Sequence, residues 1–236
     1  MKTFNLCVLL SLAAAVHCVP MPQASREQFL EELEELGSTP DTPNACDSTM
    51  VLDAVATLRG EMLFFKDSFI WRTHPLRDTP YQSLISVYWP SAPTDIDAAY
   101  ENQETDSVLL FKDDTVWAYS GYDLVSGYPK PMSSFGLPES VKKIDAVLHD
   151  EESGKTLFFV GEEYYSYDEA KKMMDQGFPK RVDKIFSGMT GKVTAAFLYN
   201  GYAYIYSGSD VFEYHLETKQ FFRKLNNNYF LPCTEY

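Results

Sequence analysis

The sequence is poor in basic residues and has no long apolar segment. Its 236 residues include 20 Lys and Arg against 34 Asp and Glu, a net charge of −14. Because so acidic a protein is repelled by phosphate groups, we expect neither a nucleic-acid partner nor an anionic membrane surface. The apolar run from Phe4 to Val16 is shorter than the ~20 residues needed to cross a bilayer, so no membrane span is predicted.

Sequence patterns of several enzyme classes are also missing. There is no Gly-x-Ser-x-Gly turn, which exposes a serine nucleophile, and no glycine-rich loop, which cradles phosphate. The Asn-x-Ser/Thr acceptor of glycosylation is absent as well. We therefore predict no catalytic residue.

The early apolar run has the features of a secretory signal. Lys2 precedes the run, and Val16-His17-Cys18 is compatible with a cleavage site. We predict that residues 1–18 are a signal peptide. The mature chain would then begin near Val19 and be secreted into the extracellular space or matrix.

Cysteine is scarce. Cys7 and Cys18 lie in the predicted signal, which leaves Cys46 and Cys233. In an oxidising compartment such a pair is expected to form one disulfide; two free buried thiols are the alternative. Closing so long a loop would stabilise the fold by ~4–5 kcal/mol on the chain-entropy model.

What the chain does contain is an internal repeat. An Asp-Ala or Thr-Ala pair opens an apolar and aromatic run at residues 53, 97, 145 and 194, with spacings of 44, 48 and 49 residues. Each run reads as an opening strand, a polar turn, an apolar strand, a tight turn and an aromatic strand. Repeats of ~40–50 residues built from short strands are typical of propeller blades.

The repeat predicts an all-β fold, a four-bladed β-propeller that extends from residue 46 to residue 233. A β-sandwich would show no fixed internal order, and a parallel α/β fold would need amphipathic helices between strands. We place Trp71, Trp117, Tyr165 and Tyr214 between adjacent blades. The predicted blades span about 46–92, 93–140, 141–189 and 190–233.

The segments outside the predicted strands are short. Residues 19–45 are predicted to be a short amphipathic helix, capped at Ser25 and ended by Gly37, followed by a linker. One turn of helix is predicted at 169–174, within a connector between blades.

Four segments resemble a known family. They are CDSTMVLDAVATLRGEMLFFKDSFIWR, IDAAYE, GYDLVSGYPK and SFGLPESVKKIDAVLH. Together they resemble the hemopexin-like domain of secreted matrix metalloproteinases, the collagenases above all, over residues 46–233. The resemblance implies a four-bladed propeller that a disulfide closes between its first and last blades.

The chain lacks the other parts of such a protease. A collagenase carries a propeptide and a zinc domain with His-Glu-x-x-His, but no two of the four histidines here are so spaced. No catalytic zinc is expected. The chain resembles a metalloproteinase reduced to signal, linker and propeller. A truncated isoform or fragment of a collagenase-type metalloendopeptidase is the alternative.

The resemblance also implies ions in the propeller channel. By position, calcium would bind the backbone carbonyls of Asp53, Asp97, Asp145 and Thr194. Because Thr194 replaces the usual aspartate, we expect a weaker calcium site; these aspartates could instead only cap strands. An anion such as chloride would lie on amides near Ala99, Val147 and Ala196.

The implied role is a non-catalytic binding module for collagen or another matrix protein, or for tissue inhibitors of metalloproteinases. A metal or heme carrier is a further alternative, although heme is not expected without a pair of histidines. Interfaces favour aromatic residues and Arg; ordinary blade packing is the competing interpretation of each such residue. The candidate contacts are Phe65, Ile70, Arg72, Tyr122, Tyr128 and Phe135.

Overall fold

The computed structural model describes residues 42–74, 76, 79–189, 191–231 and 233, and the backbone of 6–7 and 18–19. The chain divides into two compact units, Met1–Thr42 and Pro43–Tyr236. In the first unit, β1 (Leu6–Cys7) pairs antiparallel with β2 (Cys18–Val19). The rest of the predicted signal peptide and the predicted helix after Ser25 lie outside the described residues.

The described residues of the second unit form four antiparallel sheets, and the first four strands of each follow chain order. Blade 1 consists of β3 (Ala54–Leu58), β4 (Glu61–Lys66), β5 (Phe69–Thr73) and β6 (Tyr81–Leu84). Blade 2 consists of β7 (Ala98–Asn102), β8 (Ser107–Lys112), β9 (Thr115–Ser120), β10 (Asp123–Leu124) and β11 (Lys130–Pro131). The two short strands of blade 2 both pair with β9.

The remaining two blades repeat this plan. Blade 3 consists of β12 (Ala146–Asp150), β13 (Lys155–Val160), β14 (Glu163–Asp168), β15 (Met173–Met174) and β16 (Lys180–Arg181). Blade 4 consists of β17 (Ala195–Tyr199), β18 (Tyr202–Ser207), β19 (Asp210–His215) and β20 (Phe221–Asn226). The predicted all-β, four-bladed propeller is confirmed.

Helical segments are short in the described part of the chain. They are α1 (Ile85–Tyr88) and 3₁₀ turns at Met132–Phe135, Val182–Lys184 and Asn227–Tyr229. The predicted helical turn at 169–174 is wrong, because Met173–Met174 pairs with β14 as a strand. Asp168 accepts the N–H of Lys171, and Lys172 has a φ of 54°, so the chain turns back there instead of continuing as a helix.

The first strand of each blade lies innermost, and these four strands contact one another in a ring of β3, β7, β12 and β17. The second strand is buried on both faces, as the pattern of Glu61–Lys66 shows. Each blade packs between two neighbours, which explains why its strands carry continuous apolar runs.

Four hydrophobic clusters fill the junctions between neighbouring blades. Trp71 lies between blades 1 and 4, and Tyr214 between blades 3 and 4. Trp117 packs at the junction of blades 1 and 2, and Tyr165 at that of blades 2 and 3. The prediction that these four rings fill the spaces between blades is confirmed.

The ends of the propeller are joined covalently and by hydrogen bonds. Cys46 and Cys233 form a disulfide across 187 residues, so the predicted pairing is confirmed. The Asn227 side-chain amide donates to the carbonyls of Met50, at 2.8 Å, and Asp47, at 3.2 Å. Blade 4 is therefore tied to the segment that enters blade 1.

The turn after the second strand of each blade has a fixed backbone conformation. Its first residue has a left-handed φ between 52° and 62° in all four blades. Asp and Gly are the residues that adopt this region with least strain. The residues concerned are Asp67, Asp113, Gly161 and Gly208.

Candidate functional site

Aspartates at the start of the inner strands hold the neighbouring turns in place. Each of the three carboxylates accepts the backbone N–H of the left-handed turn residue of its own blade, at 2.6 Å in every case. The pairs are Asp53 with Asp67, Asp97 with Asp113, and Asp145 with Gly161. These side chains thus brace the hairpins beside the channel, which leaves the backbone carbonyls as the predicted ion ligands.

The first mouth of the channel is the cavity at these strand starts. Its volume is about 280 Å³, and all four residues predicted to bind calcium line it. In blade 4 a hydroxyl stands in place of a carboxylate, and the Thr194 Oγ1 atom is buried without a hydrogen-bond partner. Blade 4 therefore lacks the carboxylate-to-turn hydrogen bond that the other three blades share.

Lysines supply positive charge at this mouth. Lys143 from the segment before blade 3 forms an ion pair with the Asp97 carboxylate, and the Lys112 Nζ lies 3.6 Å from the same oxygen. Burial by itself would lower the pKa of Lys143, but the hydrogen bond and attraction to Asp97 outweigh burial and raise it. A cation at the mouth would meet these ammonium groups as well as the aspartates.

The second mouth of the channel is a smaller cavity of about 90 Å³ at the far end of the inner strands. Ala99 and Ala196, two of the three residues predicted near an anion, line it. Val147 is buried on β12 and pairs with Phe158. The anion site itself stays a prediction.

A buried polar network stands beside the second mouth. Glu169 accepts hydrogen bonds from the hydroxyls of Tyr100, at 2.9 Å, and Thr156, at 2.7 Å. Because the Thr156 hydrogen is used there, His149 Nδ1, 2.8 Å from the same hydroxyl oxygen, is the donor. Burial lowers the pKa of His149 despite nearby carboxylates, and burial followed by the Glu169 charge raises that of Tyr100.

Three of the six predicted partner contacts are wrong. Phe65 and Ile70 have no exposed surface, and Phe135 is 7% exposed. They lie in the inter-blade clusters, Phe65 and Ile70 between blades 1 and 2 and Phe135 between blades 2 and 3. A partner cannot reach these rings while the blades remain packed.

The other three predicted contacts do reach the surface, but not as one group. Tyr122 is 68% exposed, and the Arg72 side chain is 27% exposed. Tyr128 is half-buried against the cluster of blades 2 and 3, with the Lys130 Nζ 4.3 Å from its ring centre. Arg72 and Tyr122 meet through Tyr88, a residue that the sequence reasoning did not single out.

The described residues contain neither a cluster of side-chain metal ligands nor a membrane-spanning helix. Within those residues, no three His, Cys, Asp or Glu side chains are grouped so as to hold a metal ion. No helix in the same residues is long and apolar enough to cross a membrane.

A family model and curated relatives identify what the chain resembles. The model described as Hemopexin matches residues 52–94, 96–139 and 144–190. Matrix metalloproteinase-18 of Xenopus laevis is 45% identical over 194 residues, and human neutrophil collagenase is 41% identical over 194. Each alignment covers 82% of this chain, but 42% and 41% of those proteins. The chain thus spans less than half the length of these relatives.

Solved structures share the fold at low sequence identity. The hemopexin-fold protein CP4 from cow pea superposes with a TM-score of 0.65 at 16% identity, covering 78% of this chain and 96% of that one. The seed albumin LS24 from Lathyrus sativus superposes with a TM-score of 0.67 at 13% identity, covering 81% of this chain and 97% of that one. These likenesses support the architecture of the chain and nothing further.

Proposed function

The chain belongs to the hemopexin family, and from this premise we propose that it is a secreted binding module without catalytic activity. One observation carries the proposal. The alignment with metalloproteinases covers 82% of this chain and 42% of the first of them, and the aligned part is a closed propeller. The sequence contains no His-Glu-x-x-His, the pattern that holds zinc in such proteases.

Collagen is the partner that the relatives favour. Two of them, human neutrophil collagenase and interstitial collagenase of Sus scrofa, are named as collagenases and share 41% and 42% identity with this chain. A propeller without a protease would bind the same matrix protein without cutting it. Tissue inhibitors of metalloproteinases are the second class of partner that we propose.

Binding to native collagen I tests the proposal. The purified secreted protein is passed over immobilised triple-helical collagen, with heat-denatured collagen as the control, in calcium or in chelator. Saturable binding to the triple helix is expected. Absence of binding to both forms would exclude collagen and redirect the search to the inhibitors.

The alternative is a truncated isoform or fragment of a collagenase-type metalloendopeptidase, which the names of the relatives support. Incubation with gelatin and a quenched peptide, with and without Zn²⁺, separates the two functions. We expect no cleavage in either condition. A metal or heme carrier stays a weaker alternative, which a heme titration followed by absorbance would test.

We propose calcium as a structural ion at the first mouth. The backbone carbonyls of Asp53, Asp97, Asp145 and Thr194 would hold it, since hard cations take oxygen ligands. Three nearby carboxylates add negative charge, while Lys143 and the neutral Thr194 reduce it. We also propose an anion such as chloride on the amides near Ala99, Val147 and Ala196.

A further inference from the structure

A cavity at the junction of blades 2 and 3 adjoins the buried network around Glu169. Its volume is about 410 Å³, within the ~300–1,000 Å³ that is typical of small-molecule sites. Its lining comes from blade 2, from the 3₁₀ turn at Met132–Phe135 and from the end of β14 with the residues that follow it. We call this cavity the blade 2–3 pocket. The residues that give it its chemistry are Tyr100, Asn102, Tyr128, Lys130, Tyr167 and Glu169.

The walls of the blade 2–3 pocket are mostly aromatic rings and aliphatic side chains. Phe135 and Tyr167 belong to the hydrophobic cluster of blades 2 and 3, and Val125 and Tyr128 pack against that cluster. The rings of Phe135 and Tyr167 lie 5.3 Å apart between centroids. Because core packing already fixes these walls, a ligand that entered would cost little ordering entropy.

The pocket contains hydrogen-bond donors that the fold leaves unused. Tyr167 is 4% exposed, and its hydroxyl has no hydrogen-bond partner among the described residues. Burial, followed by the charge of Glu169, raises the pKa of Tyr167 to about 12, so the hydroxyl keeps its proton at neutral pH. Asn102 is also 4% exposed and accepts the Thr105 N–H at Oδ1; its amide N–H groups have no partner in the part of the chain that the structure describes. Because unpaired buried donors are costly, both side chains favour a ligand with acceptor oxygens.

The carboxylate of the pocket, by contrast, is already occupied. Glu169 Oε1 accepts hydrogen bonds from Tyr100, at 2.9 Å, and Thr156, at 2.7 Å. Glu169 Oε2 accepts one from the Lys172 ammonium at 3.2 Å. The negative charge of Glu169 is therefore balanced, and the group is not free to hold a cationic ligand.

Lys130 adds a positive charge that no carboxylate balances. Its Nζ lies 4.3 Å from the centre of the Tyr128 ring, and within the described residues it forms no ion pair. Two lysines and one glutamate line the pocket, so one positive charge is in excess. Charge complementarity therefore favours a ligand with a single negative charge.

We propose that the blade 2–3 pocket binds a small organic acid, a single carboxylate carried on an aromatic body. Lys130 attracts the carboxylate, the unpaired donors of Tyr167 and Asn102 bond acceptor oxygens, and the rings of the walls pack against the aromatic body. A cationic ligand would meet the excess positive charge. This site is distinct from the proposed ions of the channel and does not depend on binding to a matrix protein.

The test titrates the full secreted chain with 3-phenylpropanoate and with its uncharged amide, 3-phenylpropanamide, followed by calorimetry. Lys130→Gln and Tyr167→Phe are the pocket variants. Their controls are Lys180→Gln and Tyr164→Phe at the junction of blades 3 and 4, where the Lys180 Nζ lies 4.5 Å from the centre of the Phe178 ring and Tyr164 is buried.

The carboxylate should bind about tenfold or more tightly than the amide, because hydrogen bonds to charged groups are the stronger ones. Lys130→Gln should weaken binding of the carboxylate by a similar factor and leave binding of the amide unchanged. Tyr167→Phe should weaken binding of the carboxylate about threefold or more. The two control variants should change it by less than about twofold.

Thermal unfolding shows whether each variant is folded, and Lys130, which is half-buried at the edge of the core, allows the test even if Tyr167→Phe is unstable. The proposal is overturned if the original chain does not bind the carboxylate, or binds it no more tightly than the amide. It is also overturned if Lys130→Gln binds the carboxylate as tightly as Lys180→Gln does.

Discussion

His149 lies where burial opposes a positive charge. Its Nδ1–H donates to Thr156, and its ring lies 5.3 Å from that of Tyr100. Burial lowers its pKa, while the carboxylates of Glu169, Asp150, Glu151 and Glu101 act in the opposite direction. The folded protein therefore resists protonation of His149 more than the unfolded chain does.

We predict that His149 makes the fold less stable in mild acid. Since the unfolded pKa is about 6.5, the unfolded chain takes up a proton below that pH which the folded protein resists. The free energy of unfolding should then fall by up to about 1.4 kcal/mol per pH unit below pH 6.5. Urea unfolding at pH 7.5 and 5.5 measures the change.

His149→Gln should lose less stability over this pH interval than the original chain. His215→Gln, at an exposed position, serves as the control and should behave like the original chain. Equal losses in the original chain and in His149→Gln would contradict the prediction.

The inner strand and its turn form the recurring element of each blade. In three blades an aspartate at the strand start accepts the N–H of the turn residue at 2.6 Å. In blade 4 the Thr194 hydroxyl is buried without a partner. A buried unsatisfied hydroxyl costs about 1–3 kcal/mol, so blade 4 has a weak point at the channel mouth.

Thr194→Asp should give blade 4 the carboxylate-to-turn hydrogen bond that the other three blades have. We expect the new carboxylate to accept the Gly208 N–H, as Asp145 accepts that of Gly161, and to raise the free energy of unfolding by about 0.5–1.5 kcal/mol. It should also tighten calcium binding, because it adds a negative charge at the proposed site. Urea unfolding and calorimetric calcium titration measure the two effects.

Thr194→Asn separates the two effects, because it offers the acceptor without the charge. It should gain stability with little change in calcium affinity. An aspartate variant that raises neither the free energy of unfolding nor the calcium affinity would show that blade 4 does not follow the geometry of the other blades.

The elements could be predicted from the sequence because their signals are local. The Asp-Ala or Thr-Ala openings, the turns and the aromatic strands recur within each blade, and the structure has strands at the openings and the aromatic runs, with turns between them. The residues that could contact a partner could not be predicted in the same way. Phe65 and Ile70 lie on strands buried on both faces, so no alternation distinguishes an outward residue from an inward one.

The ring contacts of Tyr88 with Tyr81 and Tyr122 had no sequence signal for a different reason. Tyr88 and Tyr122 are 34 residues apart and meet only because two blades pack side by side. Arg72 and Tyr122 were selected as contacts by residue type, and the structure shows that they belong to one surface. Packing between repeats is the information that a single sequence does not display.

At the scale of the whole molecule, the disulfide closes the ring of blades. Cys46 and Cys233 join the segment before blade 1 to the segment after blade 4, beside the hydrogen bonds of Asn227. We predict that a Cys46→Ser and Cys233→Ser double variant loses about 2–5 kcal/mol of unfolding free energy. Denaturant unfolding measures the loss.

Reduction of the original chain provides the matched control. It should produce a similar loss of stability, while the same reductant should leave the double variant unchanged. A loss of less than about 1 kcal/mol would mean that blade packing alone closes the propeller.

At this scale we propose that the propeller occupies matrix protein without cutting it. The most direct measurement adds the secreted chain in excess to native collagen I that is being cleaved by a full-length interstitial collagenase. We predict slower collagen cleavage and unchanged cleavage of a short quenched peptide by the same enzyme. Collagen cleavage at an undiminished rate under saturating excess would contradict the account, and so would peptide cleavage by the chain alone.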